Sequence, residues 1–135
     1  MARRLRLAAR ALEAAVDGDP TMATRYDETG LRELLADVEV ELERVALAVA
    51  SGQASLLGDW AEWVVPLFRR RRVPMNDLIN LSEGLRLATR SVLAPAEIVA
   101  ADAAIDEAIR VFKWHRRIAG DHKRNWLLQL LYKGA

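Results

Sequence analysis

The chain has no cysteine. Disulfide scaffolds, thiolate metal sites and thiol nucleophiles are therefore excluded, and a reducing, cytoplasmic setting is expected. It also lacks an excess of either charge: 20 Lys+Arg stand against 19 Asp+Glu, a formal net of +1. No global field draws the molecule onto a phosphate backbone, so an electrostatic site must be local. Long apolar runs are missing too. Nothing approaches the roughly 18 uninterrupted apolar residues of a spanning helix. The basic start "MARRLRLAARALEAAV" is broken by arginine and glutamate, which marks a soluble amphipathic helix rather than a leader peptide, and no membrane partner is expected.

What is present is apolar spacing of helical period almost from end to end. With 135 residues and 52% hydrophobic content, the chain suits a single domain, residues 1–135, around one core. Strand-like alternation occurs only in "VEVELE", Val38 to Glu43. There Leu31, Leu34, Leu35, Val38, Leu42, Val45, Ala46 and Val49 fall three or four apart and form one helical stripe. The spacing predicts an all-α, up-and-down bundle of five or six helices. The first runs from Ala2 to Val16 with Leu5, Ala8, Leu12 and Val16 inward, and "DGDP" stops it. The second starts near Asp27 or Thr29 and ends before Gly52. A third covers Ala54 to Arg70 with Leu56, Trp60, Trp63, Val64, Leu67 and Phe68 inward, and Pro66 predicts a kink or early end in it. Pro74 and Pro95 open the fourth and fifth. In the fifth, Ile98, Ile105 and Phe112 are seven apart with Ala101, Ala108 and His115 between them. Gly120 either ends this helix or lies inside a longer one reaching Tyr132.

The stretch "LFRRRRVPMNDL" carries four consecutive arginines, Arg69, Arg70, Arg71 and Arg72. Successive helical residues are 100° apart, so four in a row inside a helix would force one toward the core. A helix end avoids this, and cations there complement the dipole. The competing reading is a site for an anion or an acidic partner, because guanidinium groups bind phosphate and carboxylate bidentately. No helix-turn-helix or RNA-binding signature accompanies the run, so nucleic acid is not the expected partner. Charge is also segregated along the chain. Residues 25–44 hold seven acids against three arginines, about −4, and residues 110–133 hold seven basic residues against Asp121, about +6. Opposed patches of this kind pair within a bundle or across an interface.

Candidates for chemistry are few. His115 and His122, two turns apart on a helix, are too far apart for one metal, so no metal site is expected. His115 could ligate haem beside Phe112 and Trp114, but its charged "KWHRR" setting argues against this, and no cofactor is expected. Asp59, Glu62, Asp106 and Glu107 suit helix-surface pairs, the serines lack an activating neighbour, and "SGQASLLG" lacks the lysine of a phosphate loop, so nothing points to an enzyme. Trp60, Trp63, Trp114 and Trp126 each need an indole N–H partner at a polar boundary. Together with Phe112 and His115 they are the candidates for a ligand pocket or a partner surface.

The segment "WVVPLFRRRRVPMNDLINLSEGLRLATRSVL" resembles the helical N-terminal regulatory domains of RsbR-type stressosome co-antagonists and PucR-like regulators. Arg69 to Arg72, Val73, Pro74, Met75, Leu78, Leu85 and Arg86 carry the likeness, about a quarter of the chain. The resemblance implies a non-catalytic sensing or docking domain, dimeric and cut from a larger protein. The expected function is regulatory, through protein–protein interaction and self-association as a homodimer. The alternatives are a small-ligand sensor with a tryptophan-lined pocket and an anion or nucleic-acid binder at Arg69–Arg72.

Overall fold

The computed structural model describes the backbone of residues 2–134 and the side chains of residues 3–119. Helices occupy Ala2–Gly18 (α1), Met22–Arg25 (α2), Glu28–Ser51 (α3), Ser55–Arg70 (α4), Met75–Arg90 (α5) and Pro95–Gly134 (α6). The fold is all-α, with no strand among the described residues, and "VEVELE" lies inside α3. No described helix is long and apolar enough to cross a membrane.

Local chemistry sets most boundaries. Asp27 caps α3 by accepting from the Gly30 amide at 2.7 Å, and Gly52 ends it at φ 68°, a left-handed conformation that costs glycine little. Pro95 is the first residue of α6, where its missing N–H is no loss, and the Glu97 carboxylate accepts from the Ala94 amide. Helix α4 continues through Pro66 to Arg70, without the early end that was one of the two outcomes expected there. Pro66 and Glu62, whose carbonyl loses its partner, are both exposed, so water can take the missing bond. Gly120 lies within α6. The short α2 was not expected; its Met22 is fully buried.

Directions alternate among the five long helices. Arg10 of α1 approaches Ser91 of α5, Arg71 meets Asp37 across α3 and α4, and Arg90 meets Asp102 across α5 and α6, all antiparallel pairings. Neighbour order differs from chain order: α1 lies against α5 and α3, while α6 lies between α4 and α5 and also touches α3. The core is built from Leu34, Leu57, Leu81, Leu85, Ile105 and Phe112 with smaller residues around them.

The inward face of α1 is turned from the expected one. Ala8, Ala11 and Ala15 are buried, whereas Leu5 is 46% exposed. The cause is Gly84 in α5: a Cβ there would overlap the Ala11 carbonyl oxygen, so the two backbones touch and only small residues fit between them.

Candidate functional site

The arginine run is a helix end. Arg69 and Arg70 close α4, Arg71 is its cap, and Arg72 stands at φ 59°. The Arg72 amide donates to the Arg69 carbonyl and the Val73 amide to the Phe68 carbonyl, both at 3.0 Å. Val73 and Phe68 are both buried. This is a Schellman termination with arginine where glycine is the usual residue. An L side chain in that conformation costs roughly 1–2 kcal/mol. Replacing Arg72 by Gly is therefore expected to raise stability by about 1 kcal/mol, after allowing for the greater freedom of the unfolded glycine. A urea titration with an unchanged slope would show it, and a loss of stability would mean that the Arg72 side chain does more than occupy the turn.

The four guanidinium groups do not converge. Arg71 turns to α3, donating to both Asp37 oxygens at 3.0 and 2.9 Å, with Glu33 at 3.5 Å and the Phe68 ring centroid at 5.3 Å. The hydrogen bond to Asp37 raises its pKa above the ordinary arginine range. Arg69 turns to α6 and donates to the His115 carbonyl at 3.3 Å. Arg70 and Arg72 are exposed and make no ion pair among the described residues.

The aromatic candidates also separate. Trp60 is buried edge-on against Phe112, their ring centroids 6.3 Å apart. His115 Nε2 lies 2.8 Å from a Glu62 oxygen and ties α6 to α4. Trp114 is half-exposed on the outer side of α6, with the Arg117 guanidinium 4.9 Å from its ring centroid. The side chain of Trp126 lies outside the described residues, as does that of His122. Among the described residues no group of three or more His, Asp or Glu could hold a metal ion.

Trp63 is the exception, at 69% exposed. It belongs to a groove between α3 and α4 whose exposed walls are Val40, Leu47, Trp63 and Leu67. Trp60, Val64 and Phe68 form its floor, Arg44 lies at its middle, and the Arg71–Asp37 pair closes one end. Two adjoining hollows of about 190 and 260 Å³ lie along it. Val40 and Leu47 are seven residues apart, two turns along one face of α3, and fall outside the stripe that faces the core. Contiguous exposed apolar side chains rimmed by charge are the mark of an interaction surface. The most apolar hollow is elsewhere, about 240 Å³ where α3 meets α1 and the end of α5, lined by Leu7, Leu42, Val45, Val49, Val92 and Leu93, with no aromatic residue.

Two buried polar nodes had no counterpart in the sequence reading. Asp77, fully buried at the start of α5, accepts from the Tyr26 hydroxyl at 2.5 Å and from Arg25, which also reaches Asp19 at 3.0 Å. Burial, then the bond to Asp77, raises the Tyr26 hydroxyl above its usual range. Glu41 of α3 is buried opposite Ser82 of α5, whose hydroxyl donates to it at 2.8 Å. No cation faces it. Burial pushes the Glu41 carboxyl up to about 7, with the Ser82 bond pulling the other way. A glutamate at the 34, 38, 41, 45, 48 positions of the core stripe is the signal that would have found it.

The described residues thus form an all-α bundle with an exposed apolar groove between α3 and α4. Comparison with protein-family models, with curated proteins and with solved structures gave no match.

Proposed function

We propose that the chain is a non-catalytic regulatory domain that acts by protein–protein interaction, self-association included, through the groove between α3 and α4. The observation that carries this is Trp63. A tryptophan 69% exposed beside Val40, Leu47 and Leu67 leaves apolar area in water that a partner helix would cover. Arg44 and the Arg71–Asp37 pair at the rim supply orientation, while the aromatic anchor supplies affinity. The ion pairs Arg86–Asp106 and Arg90–Asp102 and the His115–Glu62 contact tie helices together and give these carboxylates structural work. The resemblance of the Arg69–Arg86 segment to sensing and docking domains supports the same reading.

Replacing Trp63 by Asp tests the reading. Stability should stay within about 0.5 kcal/mol, as for an ordinary surface change. Association followed by light scattering against concentration should weaken by about 30-fold or more, the effect of losing a central aromatic anchor. Unchanged association in both W63D and L67D would remove the groove from the function. A second reading, a small-ligand sensor, is favoured only by the 240 Å³ apolar hollow and would take an aliphatic rather than an aromatic ligand. The divergent arginine run gives less support to an anion or nucleic-acid site.

A further inference from the structure

We infer that the groove between α3 and α4 receives the C-terminal part of α6 from a second copy of the chain, in a reciprocal dimer. This rests on the groove being a recognition face and goes further by naming its occupant. Helix α6 has 40 residues against 24 in α3, roughly 60 Å against 36 Å at 1.5 Å per residue. Its last described ties to the bundle are His115 to Glu62 and Arg116 to Asn76. Beyond Arg116 the helix continues to Gly134, about 27 Å further. That part contains "NWLLQLL", too apolar a sequence to stand alone in water as a helix.

Its own groove is out of reach. Trp60 packs on Phe112 and Glu62 on His115, so α4 and α6 run parallel. The far part of α6 therefore passes the Arg70 end of α4, and a continuous helix does not turn back.

Charge selects between the surfaces a second copy offers. Beyond Arg116 the helix carries four basic residues against Asp121, about +3, so two α6 ends laid against each other would repel. The groove repels no cation in this way, because Asp37 and Asp59 balance Arg44 and Arg71 along its walls. The groove from Asp37 to Leu47 is roughly 15 Å long, three turns of helix, and has room for the two turns, about 10 Å, of the apolar stretch of α6. Exchange in both directions closes the assembly at two chains.

The absence of cysteine makes a direct test clean. Single variants V40C in the groove, Q129C in α6 and V99C on an exposed site elsewhere are treated with a short bis-maleimide as full-length chains. A mixture of V40C and Q129C chains should yield a cross-linked dimer, and V99C with Q129C, or Q129C alone, should not. Adding W63D to the V40C chain should abolish the band. A Q129C homodimer would overturn the assigned occupant, as would a wild type that scatters as the 15.1 kDa monomer. The groove reading is judged separately, by whether W63D changes association of the uncross-linked wild-type chain.

Discussion

Replacing Glu41 by Gln is expected to stabilise the protein by about 3 kcal/mol at pH 8 and to change it little at pH 4.5, from a folded-state pKa of about 7 against an ordinary 4.5. The carboxyl lies in the core with only the Ser82 hydroxyl for a partner. Desolvation favours its neutral form. Between pH 4.5 and 7 the folded chain keeps a proton that the unfolded chain has released, so stability falls as pH rises through that window. Above it, both states are ionised and the folded state carries the cost of a buried, unpaired charge. Glutamine keeps the size and an acceptor for Ser82 without the charge. Urea midpoints of both proteins at pH 5, 6, 7 and 8 would show the curves separating with pH. Parallel curves would mean that Glu41 meets water or a cation in solution.

Replacing Gly84 by Ala should cost about 3 kcal/mol, the upper end of what overpacking does. Helix propensity alone would give the opposite sign, a gain of about 1 kcal/mol. The steric effect wins because a Cβ at 84 meets backbone, the Ala11 carbonyl and the Ala15 amide, and α1 must move as a unit. Gly58 in α4 provides the control. Its added Cβ would meet the Glu107 carboxylate end at 3.2 Å, a flexible side chain that can step aside. G58A should therefore be neutral or stabilising in the same thermal melt, and similar losses in both variants would show that the α1–α5 contact is not special.

Much of the scaffold was readable because its causes are local. The capping Asp27, the helix-ending Gly52 and the openings at Pro74 and Pro95 act on their own turns, and the apolar stripes of α5 and α6 each point to one face. Of the candidate site, only part was readable. Trp63 was read as an inward residue because it falls within the apolar face of α4. That face is wider than α6 covers, and the surplus became the groove wall. Val40 and Leu47 belong to a second stripe on α3, hidden behind the stronger one that faces the core.

The amino-acid order alone determined that this is a helical chain and where most of its turns fall, and it favoured a helix end over an anion site at the arginine run, since each follows from side chains within a turn or two of one another. Only the tertiary structure decided which way α1 rotates, which arginine pairs with which helix, that Glu41 and Asp77 are buried, and which apolar residues are left in water. Those outcomes depend on how closely two backbones approach and on what a neighbouring helix covers, and periodicity within one helix carries no information about either.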